Sequence, residues 1–232
     1  MLPDSRQLIH MGINFVVAPT PSITTQTSLR FQQSLLERGI EFANVTFKER
    51  EIAIERQVPT FLQIRVLATQ PPQIGQLVII APQPGSDLEL FIKEAETIIQ
   101  AFHATWATKR QIVASDVALR DLYESSTEHA FQELWERLLG QPKEALSTLG
   151  WSIHGGGLRF VVPPNPDDLE PVEIELRIES FMQDTKKIWV ETIFKWLQPM
   201  PPDTPLDAKS RLNRVDKYIE ENVIPFVMRG TS

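Results

Sequence analysis

Hydrophobic positions along the chain follow two rhythms. Period two marks extended segments, and in the first part it runs through Ile13–Ala18, Val45–Arg56, Thr60–Thr69 and Gln76–Ala81. Recurrence every three to four residues marks helices, first with Phe31, Leu35 and Leu36, then with Leu88, Phe91, Ile92, Ala95, Ile99, Phe102 and Trp106. Thr27 or Ser28 reads as the cap of the first helix and Gly39 as its stop. Ser86-Asp-Leu-Glu89 reads as a capping box for the second. Pro59 and the run Gln70–Gly75 separate the strands between them.

The same order then returns. Ser125-Ser-Thr-Glu128 reads as the start of a helix carrying Phe131, Leu134, Trp135, Leu138 and Leu139. Strands are expected at Gly157–Val162, Val172–Met182 and Ile188–Trp196, flanked by proline-rich spacers at 163–171 and 199–205. Thr204-Pro-Leu-Asp207 opens a last helix whose stripe is Leu212, Val215, Ile219 and Val223, and Pro225 is expected to end it. Residues 107–127 read as a connector with one strand, Gln111–Ala114.

Helix, three strands, helix thus occurs twice, and some residues agree. Leu62–Val66 matches Ile174–Ile178 at an offset of 112, Gly39-Ile40 matches Gly150-Trp151 at 111, and Phe47 matches Phe160 at 113. The expectation is an α+β protein: one antiparallel sheet, long helices packed on one face, and a pseudo-twofold duplication of a helix–β–β–β–helix unit. It forms a single globular domain over 1–232, made of similar halves at 13–106 and 128–228. The strand after Pro171 supports one buried and one wet sheet face: Val172, Ile174, Leu176 and Ile178 point one way, and Glu173, Glu175, Arg177 and Glu179 the other.

Composition narrows the chemistry. Hydrophobic residues make up 42% and charged residues 23% of 232, an ordinary globular balance. The 23 basic and 30 acidic side chains leave a net charge of −7, with no dense basic run, which argues against nucleic acid as a partner. No cysteine is present, so disulfides, thiolate metal sites and cysteine nucleophiles are excluded. Neither a signal-like start nor an apolar run of membrane length is seen, and the expected location is the cytoplasm.

Catalytic motifs are missing. His10, His103, His129 and His154 stand apart from one another, which gives no metal-ligand spacing, and no nucleophile elbow occurs. No cofactor is implied, and the chain leans away from being an enzyme. Asp167-Asp168 and Asp116, Asp121 and Glu124 read as solvated carboxylates. His154, Gly155, Gly156, Gly157 and Arg159 form a weak candidate for an anion loop, against the plainer reading of a tight turn whose glycines supply positive φ.

The wet sheet face is the stronger candidate. Its Arg177, Glu179, Phe181, Trp189, Glu191 and Ile193 mix charges with large apolar side chains that a partner would cover, and Arg65 occupies the place equivalent to Arg177. The expected function is a non-catalytic interaction or assembly protein, a homodimer or a binder of another protein through a sheet face, with no membrane partner. The alternative is a small-ligand domain, with a cavity between sheet and helices lined by Phe91, Phe102, Trp106, Phe131 and Trp135. An enzyme of unrecognised type is the third.

Overall fold

The computed structural model describes residues 1–69, 73–82, 87–150 and 153–229. Ser86 and Trp151, named above in a cap and in the repeat, lie outside them. The protein is α+β, with one antiparallel sheet of nine strands. In chain order these are β1 (Gln7–Ala18), β2 (Asn44–Lys48), β3 (Glu51–Arg56), β4 (Leu62–Thr69), β5 (Ile74–Pro82), β6 (Gln111–Glu124), β7 (Gly157–Val162), β8 (Glu173–Ser180) and β9 (Lys187–Trp196). Across the sheet they stand as β2-β3-β4-β5-β1-β6-β9-β8-β7.

Three sequence expectations need correction. Val45–Arg56 is a hairpin, β2 and β3, rather than one strand, because the chain reverses at the polar pair Glu49-Arg50. The first strand begins six residues earlier than its apolar run suggests, since a register shift between Leu8 and His10 interrupts the alternation. The supposed connector holds β6, a 14-residue strand that joins β1 to β9 at the middle of the sheet. Its alternation is masked in sequence by Ser115 and Asp121, two polar residues that point into the core.

Helices are α1 (Thr25–Glu37), α2 (Leu88–Thr105), the short α3 (Ala130–Gln132) running into a π-helical turn at Glu133–Leu138, and α4 (Ala208–Tyr218). A second π-helical turn, Ile219–Val223, continues α4 into α5 (Ile224–Met228). Their caps differ from those read in the sequence. Thr24, not Thr27 or Ser28, caps α1, and Thr27 returns the bond as the box partner. Asp87 caps α2 by accepting from the Leu90 amide. Asp207 caps α4, one full turn after the Thr204-Pro opening. Ser125 caps nothing: its hydroxyl and the Ser126 amide both donate to Glu133. Pro225 follows the π-helical turn Ile219–Val223 directly, and the helical run passes it into α5 rather than ending there.

Contacts place the helices on one face. From α2, Glu94 pairs with Arg56 of β3 at 2.7 Å; from α4, Arg211 lies over the rings of Phe15 and Trp196; from α5, Phe226 meets Phe160 edge-on. Beneath them a single row crosses all nine strands: Val45, Ile54, Ile64, Ile79, Ile13, Val117, Phe194, Ile174 and Val162. The interior seven are buried, and the two edge valines are exposed where the helix layer ends. Trp106 packs at a tilt against both Phe31 and Phe102 in the same core, with centroids 5.3 and 5.1 Å away. No helix among the described residues is long and apolar enough to cross a membrane.

Candidate interaction face

Opposite the helices, the sheet presents every second residue of its strands. Pairing register puts Glu55, Gln63, Ile80, Gly12, Ala118, Ile193, Glu175 and Val161 in one line across β3 to β7. Its centre is apolar and shallow, with Ile80 and Ile193 on either side of Gly12 and Ala118. Val78 and Val16 extend the patch along the neighbouring strands, and all four larger side chains are half-buried. Trp189 is half-buried too, between Leu122 and Glu179.

Charges surround this centre, and its bases are matched within the face. Arg120 pairs with Glu191 at 2.6 Å, Arg177 reaches Glu175 and Glu191, and Arg159 reaches Glu175. Lys195 sits 3.0 Å from both Glu173 and Glu175. Lys187 meets Glu124, while Arg65 and Lys48 share Glu51. Every basic side chain that the described strands turn to this face is therefore in an ion pair. Hydrogen bonds from Lys195 and Arg177 hold the Glu175 carboxyl at about 2.

Two groups near the middle of the face are shifted by burial. Burial, with the Arg120 charge beside it, lowers His10 to about 4, so its imidazole is neutral near pH 7. Burial raises Asp116, although Asn14 donates to it at 2.9 Å. The Asn14 side-chain oxygen itself has no partner. His10 precedes the apolar run that marks the first strand, and Asp116 and Arg120 lie beyond the short strand expected at Gln111–Ala114. Asn14 is inside the expected strand Ile13–Ala18 and joins this surface only through the pairing of β1 with β6. The alternation Asp116, Ala118, Arg120, Leu122 is the sequence signal for the β6 residues.

The expected surface residues lie where the alternation put them. Arg177, Glu179, Trp189, Glu191 and Ile193 share the open face, and Phe181 continues it into the β8–β9 turn. Arg65 shares the face but not the neighbourhood. Four strands separate it from Arg177, a distance of about 24 Å or more, so the two arginines cannot grip one small ligand. The acids Asp116, Asp121 and Glu124 are likewise dispersed, since Asp121 points into the core under Arg6, at 2.8 Å.

The glycine run is a close crossing of chains. None of Gly155, Gly156 and Gly157 has positive φ. A Cβ on Gly156 would stand 2.9 Å from the Phe131 ring, and one on Gly157 would stand 2.1 Å from the Ile178 carbonyl oxygen. The Gly156 amide donates to the Ser180 hydroxyl, and its carbonyl accepts from the Ser180 amide. Arg159 is turned to the open face, whereas His154 lines a cleft of about 820 Å³ on the helix side. Phe131 and Trp135, stacked at 6.1 Å and 21°, form one wall of that cleft, with His129, Glu136 and Lys143 around it. Phe91, Phe102 and Trp106, expected in the same cavity, are instead packed into the core.

No family model matches the chain, and no curated protein does. Among solved structures, it shows a slight likeness to the di-domain ARO/CYC StfQ from the steffimycin biosynthetic pathway. Identity is 7% over 94% of this chain and 95% of that one, with a TM-score of 0.22. A likeness at that score carries no argument.

Proposed function

We propose that the chain is a non-catalytic interaction protein, a single domain of two similar halves, whose open sheet face is covered by a second copy of itself. The observation that carries this reading is a face whose bases are all paired within it. Seven bases are all paired to acids of the same surface, around an apolar centre of Ile80, Val78, Val16 and Ile193. Such a surface has no free cations for phosphates, and when it meets a copy of itself it adds no unpaired bases to the long-range repulsion between bodies of net charge −7.

Duplication gives the face its symmetry. If Leu62–Val66 corresponds to Ile174–Ile178, the pairing register puts the pseudo-twofold axis between Gly12 and Ala118, and Ile80 becomes the counterpart of Ile193. The repeating unit is then strand, helix, three strands and helix, with β1 and β6 as its first strands. Phe47 falls outside the correspondence: β2 lies one strand beyond β3, the counterpart of β7.

Analytical ultracentrifugation of Ile193→Glu and Val78→Glu tests the face. Both variants are expected to unfold at the midpoint of the parent and to associate at least about tenfold more weakly, since each places a charge in an apolar contact. Unchanged mass at unchanged stability in both variants would reject it.

The cleft under Phe131 and Trp135 favours a second reading, a small apolar ligand held outside the core rather than between sheet and helices. An apolar fluorescent probe should bind the parent chain and lose most of its signal on Trp135→Ala. Equal signals from the two chains exclude the cleft.

A further inference from the structure

We propose that β7 is a second association surface, which pairs antiparallel with the β7 of another copy and continues the sheet from one chain into the next. It is independent of the open face. β7 ends the sheet, and the exposures of Arg159, Phe160, Val161 and Val162 leave its outer side bare. Edge strands are ordinarily guarded by proline, a bulge, or an unpaired lysine or inward charge. Within Gly157–Val162 β7 has none of these; Pro163-Pro164 follow its end and limit the pairing to these six residues. Its register with β8 is unbroken from Gly157 to Val162, and its one charge, Arg159, is tied back to Glu175 at 2.8 Å.

The backbone fixes which groups are free. The Ser180 amide donates to the Gly156 carbonyl, and hydrogen-bonded pairs alternate along an antiparallel ladder. Residues 158, 160 and 162 therefore bond to β8, while Gly157, Arg159 and Val161 turn their N–H and C=O groups outward. A second β7 must present the same groups, which leaves two registers of full overlap. One sets Arg159 opposite its own copy, with two guanidinium groups on the same side of the sheet. The other sets Phe160 opposite its own copy and Arg159 opposite Val161. Like charges directly opposite disfavour the first, and an aromatic pair favours the second. Phe160 is 38% exposed and already rests edge-on against Phe226 at 5.6 Å, so the second register closes a run of four aromatic rings over the junction.

The chain has no cysteine, which makes single-cysteine crosslinking a direct test. In the Phe160-centred register, residue 160 and its mate form a non-hydrogen-bonded pair, close enough for a disulfide. Under mild oxidation Phe160→Cys should become mostly covalent dimer, while Arg159→Cys, whose mate lies two residues away, stays monomeric on a denaturing gel. Adding Val161→Pro, which removes an outward N–H at a solvent-exposed edge, should slow the Phe160→Cys crosslink about tenfold. Ile193→Glu should leave it unchanged, so failure of the face and failure of the edge are told apart. Crosslinking of Arg159→Cys in place of Phe160→Cys overturns the register. Absence of crosslinking in both, or equal crosslinking in both, overturns the edge. If Phe160→Cys does not fold, the proposal stands or falls on whether Val161→Pro in the otherwise native chain reduces mass in sedimentation.

Discussion

At the residue scale, the three glycines before Arg159 show how a correct position can be assigned for the wrong reason. Their run is conspicuous in sequence, and positive φ is the usual explanation, yet that conformation belongs to Gly39, Gly140 and Gly150. What Gly157 supplies is room: a Cβ there would meet the Ile178 carbonyl oxygen at 2.1 Å and the Glu179 Cα at 2.6 Å, both backbone atoms. At Gly156 the obstacle is the Phe131 ring at 2.9 Å, and at Gly155 the nearest is the flexible Met182 thioether at 2.5 Å, with the Ser180 hydroxyl at 2.9 Å. Backbone cannot yield, a packed ring yields partly, and a methionine turns aside. Alanine substitutions should therefore rank Gly157 above Gly156 above Gly155 in cost, with Gly157→Ala losing about 3 kcal/mol or more in urea unfolding. Equal costs at the three sites would contradict a crossing of chains. Such a contact is not legible in sequence, because the atoms that make it lie 21 to 27 residues away.

Elements were legible where their pattern was uniform. The strands β7, β8 and β9 begin and end within two residues of their apolar alternation, since apolar side chains alternate with polar ones and nothing polar points to the helix side except Thr192 and Ser180. β6 hid itself. Asp121 points to the core, where the Arg6 guanidinium holds it while burial pushes its carboxyl upward. Asp216 of α4 takes the same guanidinium at 2.7 Å, so this interruption of the strand pattern is also the pin that joins sheet to helix. Helix stripes were readable for the same reason as the strands, through their burial, while their starts were not. Several threonines, serines and aspartates precede each helix, and only backbone direction decides which one caps. At α4, Asp207 wins over Thr204 because its carboxylate reaches the Ser210 amide at 2.8 Å.

At the scale of the whole molecule, the sequence separates a buried face from a wet one but says little about what the wet face meets. Its residues were half visible: Arg177, Glu191 and Ile193 follow from β8 and β9 alone, whereas Ile80, Gly12 and Ala118 become their neighbours only through the order β5-β1-β6-β9. That order turns scattered charges into closed pairs, and closed pairs have a consequence for association. If a second copy attached through ion pairs between chains, added salt would weaken it. If it attaches through Ile80, Val78 and Ile193 with each base of the face already matched at home, salt acts chiefly on the long-range repulsion between two bodies of net charge −7. The screening length shortens from about 10 Å at 0.1 M salt to about 3 Å at 1 M, so that repulsion fades. The association constant measured by sedimentation should thus hold steady or rise severalfold as sodium chloride increases over this range, and a steep fall would assign the contact to charges exchanged between copies.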